Sequence, residues 1–151
     1  MNKIYKAYYD SPLGIIEIKG TEQGILAISF DEEGLVQEVP AVLEECYEQL
    51  GEYFKGQRKE FALNLIFEGT DFQKKVWLEL TKVPFGNTAS YKDIAEGIGN
   101  VKAMRAVGNA NSKNPFSIVV PCHRVIGANG NLVGYAGGLW RKKWLLNHEN
   151  K

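Results

Sequence analysis

Residues 90–125 read SYKDIAEGIGNVKAMRAVGNANSKNPFSIVVPCHRV, and the order of signals along them decides the architecture. Ser90-Tyr91-Lys92-Asp93 opens a short helix that Gly97 and Gly99 close. Asn100 offers a cap for a second helix over 101–111. Two short helices joined by a glycine-containing turn spell a helix-turn-helix, a pattern that is also common in proteins that never meet DNA. The second helix carries Lys102 and Arg105 among Ala103, Ala106, Gly108 and Ala110. Small residues let a backbone lie close to its neighbour, either a nucleic-acid groove or another helix. After Asn114-Pro115 the apolar run reads as a strand to Pro121, broken by Cys122, His123 and Arg124.

That break carries the chemistry. A cysteine is nucleophilic only as thiolate, and a free thiol titrates near about 8.5. A lone cysteine beside an apolar strand is usually a small core residue. Such a residue does not account for imidazole and guanidinium entering the chain at the same point, where they favour ionisation. Neighbours on an extended chain point to opposite faces, so His123 needs a bend at Pro121 or a bridging water to reach the Cys122 thiol. A base also needs a third group to orient it, and Glu149, Asp93 and Glu96 are the candidates.

Upstream, residues 3–9, 14–20 and 24–30 are β-rich runs with reversals at Ser11-Pro12-Leu13-Gly14 and Thr21-Glu22-Gln23-Gly24, an antiparallel meander. Residues 38–55 have apolar positions at helical spacing, which places Cys46 on a buried stripe. Residues 61–66 read as a further strand. Gly69 is the seam, giving a sheet-plus-helix domain over 1–69 and a second domain over 70–151. That second domain begins with the capping pattern Thr70-Asp71-Phe72-Gln73 and a helix to Thr81. It is expected to be mostly α, with a short β hairpin turning at Asn129-Gly130 and a final helix over 139–149.

The chain has 151 residues and formal net charge zero, but the charge is segregated. Residues 1–69 carry 6 Lys and Arg against 13 Asp and Glu, a balance of −7; residues 70–151 carry 12 against 5, a balance of +7. The basic half is suited to a polyanion. No apolar run approaches the ~18 residues of a membrane span, and the first ten residues lack the apolar core of a secretory signal. Two distant cysteines make no disulfide framework, so a reducing compartment is expected.

The motif Pro121-Cys122-His123-Arg124-Val125 resembles the active-site signature of the O6-alkylguanine-DNA alkyltransferases. Ser90-Tyr91, the run from Arg105 to Ala110, Asn114-Pro115, Tyr135 with Gly137-Gly138, and the run from Trp144 to Glu149 follow in that family's order. The acidic first half resembles its variable N-terminal domain. The resemblance implies a DNA repair protein that takes the alkyl group of O6-alkylguanine, with O4-alkylthymine as a second substrate, onto Cys122 once per molecule. His123 and Glu149 would relay the thiol proton through water. Asn114 would brace the turn before the active-site segment, and Tyr91 would meet the charge on the departing purine. Tyr91, Lys102, Arg105, Ala106, Gly108 and Asn109 would contact double-stranded DNA in the minor groove, Arg105 filling the gap left by an extruded base. Val125, Tyr135, Ala136 and Gly137 would line the base pocket, and Arg124 would have a structural or electrostatic role. The same likeness implies a monomer without cofactor, in the cytoplasm or, in a eukaryote, the nucleus.

Three features depart from the pattern. Ala136 stands where some members have a serine that hydrogen-bonds O6. Val101 stands where some have proline, and with it a pre-organised first turn. Some members hold a structural zinc, but Cys46 is the one cysteine outside the motif, so neither metal nor cofactor is expected. Two rivals remain: a damage-binding relative without the nucleophile, which Cys122 disfavours, and a cysteine hydrolase, which leaves the helix pair unexplained.

Overall fold

A computed structural model describes residues 3–132, 134–135 and 137–150. They form two compact units, one running to Phe67 and including Pro115–Ser117, the other comprising Glu68–Asn114 and the residues from Ile118 onward.

The first unit is a three-stranded antiparallel sheet with one helix. β1 (Tyr5–Ser11), β2 (Gly14–Thr21) and β3 (Gly24–Phe30) lie in that order. The first reversal is fixed by Ser11, whose Oγ accepts from Leu13 N at 3.0 Å, and by Gly14 at φ 108°. A bulge between Lys19 and Gly20 shifts the second pairing. A Cβ on Gly20 would stand 2.9 Å from the backbone oxygen of Gly24 and 2.8 Å from Leu43 Cδ2, so a side chain there would force the bulge and the one-turn 3₁₀ segment, Ala41–Leu43, to shift. α1 (Glu44–Phe54) follows and buries Cys46, Leu50 and Tyr53 with Ile16, Ile18 and Ile28 of the sheet.

Residues 61–66 do not form the strand expected of them. Leu65 makes one isolated bridge to Ile25, and buried Gln49 holds Ala62 instead, accepting from its N at 2.9 Å and donating to its O at 3.1 Å. The side-chain amide of α1 thus replaces most of a β ladder. The strand expected over 115–121 is also missing. Proline at both ends removes backbone donors, and Ile118 turns the chain with φ 74°, a left-handed conformation costing a β-branched residue about 1–3 kcal/mol. Within the first unit, Phe116 bridges Ile28.

The second unit is built on three helices. α2 (Asp71–Leu80) starts with a reciprocal box between Thr70 and Gln73. α3 (Tyr91–Gly97) starts with the same device between Ser90 and Asp93. α4 (Met104–Ser112) begins later than expected. Asn100 does not cap it but closes a tight turn through its carbonyl to Ala103 N, leaving Val101 and Lys102 outside the helix. Val76, Trp77, Leu80, Ile94, Ala95, Val107 and Ala110 form the core, and Trp77 Nε1 donates to Ala110 O at 2.9 Å.

The turn expected at Asn129-Gly130 is present, Gly127 N donating to Asn131 O at 2.8 Å, but among the described residues no strand follows it to make a hairpin. The sheet pairing described in this unit is parallel, between β4 (Ala89–Ser90) and β5 (Val125–Ile126). α5 (Leu139–Glu149) completes the unit. Among the described residues no helix is long and apolar enough to cross a membrane.

Candidate active site

The β4–β5 pairing sets the site. It joins the residue before Tyr91 to the strand that follows Cys122, His123 and Arg124, so two segments far apart in sequence meet. Cys122–Arg124 is a single 3₁₀ turn, closed by Arg124 N to Pro121 O at 3.0 Å. This is the bend anticipated at Pro121, and all three side chains are buried.

His123 Nε2 lies 2.8 Å from Glu149 Oε2. Arg124 grips the same carboxylate, Nε to Oε1 at 2.7 Å and Nη2 to Oε2 at 2.9 Å, while Nη1 donates to Val83 O at 2.7 Å. Burial opposes ionisation of Glu149, yet the hydrogen bonds and charges of His123 and Arg124 hold its carboxyl well below the usual range. A carboxylate at a helix C-terminus is also disfavoured by the macrodipole, which Arg124 offsets. Burial lowers the His123 pKa despite the opposing pull of Glu149, so the imidazole is neutral. An ionised carboxylate only accepts, so the single ring proton sits on Nε2 and Nδ1 carries the lone pair. Nδ1 is buried and has no hydrogen-bond partner among the described residues.

Of the three groups weighed as orienters, Glu149 is the one hydrogen-bonded to His123. Asp93 is spent as the α3 cap, and exposed Glu96 pairs with Lys92 at 3.9 Å.

Burial raises the Cys122 thiol pKa, opposed by a hydrogen bond from Asn114 and by the charge of Lys142. Asn114 Nδ2 also donates to Val120 O at 2.8 Å, bracing the approach to the turn. The resting sulfur is therefore a thiol that needs a base. Tyr91 is half-buried, and burial with the nearby Cys122 raises its pKa, so it stays a phenol able to donate. A Cβ on Gly108 would stand 3.6 Å from the Tyr91 ring, and one on Gly134 4.0 Å from its hydroxyl. Tyr91 thus lies between α4 and the loop before α5.

On α4 and its leading turn, Lys102, Arg105, Ala106 and Asn109 are exposed and Gly108 is half-buried. Val125 is buried, Tyr135 and Gly137 are half-buried, and Ala136 lies outside the described residues. The clasp of Arg124 on Glu149 was not foreseen. Neither was Lys142, a fully buried ammonium donating to Val125 O at 2.5 Å and to Gly134 O at 3.4 Å. A signal for it existed: Lys142, Leu145 and Glu149 share helical spacing i, i+3, i+7, one buried stripe. Burial lowers the Lys142 pKa, and the neighbouring Cys122 pulls it back up. Cys46, by contrast, is pushed up to about 12 by burial and then by Glu45, an inert core thiol.

The pairing has a pH signature. His123 and Glu149 both have lowered folded-state values, so the unfolded chain binds more protons and stability rises with pH across each window. Melting temperature should fall on acidification below about pH 6.5, as the unfolded histidine protonates, and more steeply below about 4.3, where unfolded glutamate does. A thermal melt that stays flat from pH 7 to pH 4 contradicts this arrangement.

Residues 71–151 match the family model described as 6-O-methylguanine DNA methyltransferase, DNA binding domain, and residues 4–67 match its ribonuclease-like domain. The methylated-DNA–protein-cysteine methyltransferase of Methanosarcina acetivorans is 47% identical over 97% of this chain and 98% of its own. The constitutive Bacillus subtilis enzyme of that name is 44% identical over 96% and 94%. A crystal structure of Mycobacterium tuberculosis OGT in complex with DNA superposes with a TM-score of 0.88 at 41% identity, covering 96% of this chain and 92% of that one. The chain belongs to the 6-O-methylguanine DNA methyltransferase family.

Proposed function

We propose that the protein repairs alkylated duplex DNA by moving the alkyl group from O6 of guanine, and from O4 of thymine, onto its own Cys122, one group per molecule. The observation that carries this reading is the buried turn in which a thiol adjoins a neutral imidazole. An ionised carboxylate fixes that imidazole through one nitrogen, and its other nitrogen has no hydrogen-bond partner among the described residues.

Cys122 and His123 are neighbours in a turn, so a water between Nδ1 and the thiol carries the proton. Sγ then forms a bond to the alkyl carbon as the carbon–oxygen bond breaks and its electron pair passes to the purine. The Tyr91 hydroxyl meets the charge that builds there. In net terms one proton leaves the thiol and one arrives on the purine. The product is a thioether, and Glu149 and His123 provide no route to hydrolyse it, so the protein is consumed. The proton-relay and substrate-contact roles of His123, Glu149, Asn114 and Tyr91 belong to this proposal, as do the pocket roles of Val125, Tyr135 and Gly137.

The target base is stacked inside a duplex, so it must be extruded, at a cost of a few kcal/mol. Exposed Arg105 fills the vacated space while Lys102, Ala106, Gly108 and Asn109 lie along the minor groove, about 6 Å wide. The protein acts as a monomer in a reducing compartment, the cytoplasm or a nucleus, where its two free cysteines remain thiols.

Intact mass after incubation with O6-methylguanine duplex tests the reading. A gain of one methyl per protein supports it, while binding without mass gain favours a damage-binding role. Arg105→Ala should slow repair of duplex at least about tenfold more than reaction with free alkylated guanine, because only the duplex requires extrusion. Equal losses on both substrates would remove the arginine from that step.

A further inference from the structure

The start of α4 and the turn before it expose two large apolar side chains for which the roles above have no use. Val101 is 53% exposed in the turn before the helix, and Met104 is 41% exposed at its first position. Met104 stands three residues before buried Val107 and seven before buried Asn111, at the solvent-exposed end of that stripe, and Val101 precedes the helix.

Where they stand is informative. Met104 lies one helical turn before Gly108, the residue against which the Tyr91 ring packs, and immediately before Arg105. Lys102 and Arg105, both exposed, flank the pair, and no acidic residue occurs from 97 to 112. The patch is an apolar ridge with a cationic rim, on a helix whose other outward residues, Ala106 and Asn109, are short.

Water exacts a cost for such exposure, and a basic rim repels a cationic partner and selects an anionic one. A duplex satisfies both demands. Its phosphates complement the two cations, and apolar side chains inserted at the minor-groove face are a known device for prising base steps apart. We propose that Val101 and Met104 form an apolar wedge seated against the base step beside the extruded nucleotide, Met104 holding that step open while Arg105 occupies the gap. The inference rests on the alkyl-transfer reading and adds to it a second element that drives extrusion. Met104 supplies the flexible, polarisable contact, and Val101 gives it a stiff neighbour.

The test uses the full chain with three substitutions, Met104→Ala, Met104→Gln and Met104→Leu. Each is assayed by single-turnover mass gain on O6-methylguanine duplex and on free O6-benzylguanine. Duplexes carrying 2-aminopurine next to the lesion report stacking at the adjoining step. Because Met104 is exposed, all three variants should melt with the parent protein. Met104→Ala and Met104→Gln should lose about tenfold more rate on duplex than on free base, the scale expected for uncovering half a buried methionine. They should also give a weaker 2-aminopurine signal, and Met104→Leu should restore both. The glutamine variant separates apolarity from length. Equal rates for all four proteins on duplex, or parallel loss on both substrates, would overturn the wedge. Absence of mass gain by the parent protein on free base would instead overturn the alkyl-transfer reading beneath it.

Discussion

Cys122→Ala should take up no alkyl group from any substrate yet still bind duplex DNA. In the proposed reading the sulfur is the protein atom that forms a bond, while the side chains assigned to DNA lie on α4, its leading turn and Tyr91 of α3. Removing a buried Sγ leaves a small cavity in the 3₁₀ turn, and the turn itself is closed by backbone, so the helices should keep their packing. Gel-shift or anisotropy titration beside the mass assay separates the two properties. Loss of binding in step with loss of transfer would show that Cys122 organises the fold and would weaken its assignment as acceptor.

Glu149→Gln has the second large effect, and it strikes both stability and rate. The carboxylate accepts from His123 and twice from Arg124, with side chains 0%, 8% and 1% exposed for His123, Arg124 and Glu149. An amide presents donors to a guanidinium that is itself all donor, and it leaves the Arg124 charge uncompensated. Breaking one side of a buried ion pair costs about 3–5 kcal/mol. Denaturant unfolding should show a loss of that order. Where the variant is still folded, the rate on free O6-benzylguanine should drop by about 10² or more, because the His123 tautomer is no longer imposed. A Glu149→Gln protein that unfolds with the parent would mean that the clasp contributes little. One that reacts at the parent rate would take Glu149 out of proton transfer.

Local signals in the chain were legible where the structure is local. The two capping boxes close within four residues, and Thr70 with Gln73 and Ser90 with Asp93 behave as their spacing dictates. The meander likewise follows from alternation and turn residues. The strands expected over 61–66 and 115–121 fail for a different reason. Their apolar composition suits a ladder, but whether a ladder forms depends on partners elsewhere: Gln49 intercepts Ala62, and prolines at 115 and 121 with the left-handed Ile118 break the second run. The β4–β5 pairing joins Ser90 to Ile126, a register that no local pattern announces.

The candidate site divides in the same way. Cys122, His123 and Asn114 were visible as a motif, but Asp93 and Glu96 could not be set aside as orienters until one was seen capping a helix and the other pairing with Lys92. Arg124 turned out to share the Glu149 carboxylate with His123, a contact spanning 25 residues. Lys142 was the avoidable omission. A lysine reads as surface charge by type, and only its position on the stripe with Leu145 and Glu149 shows that it is buried.

Two free thiols offer themselves as acceptors, both buried, and they differ in what surrounds them. Cys46 sits in a core that holds it protonated, whereas Cys122 sits beside a neutral imidazole, an asparagine and a buried ammonium. Digesting the protein after exposure to excess O6-methylguanine duplex and locating the added methyl by tandem mass spectrometry decides between them. The account predicts one methyl, on the peptide containing Cys122, with Cys46 unmodified and no further uptake. A methyl on Cys46, or repeated turnover that leaves Cys122 bare, would contradict it.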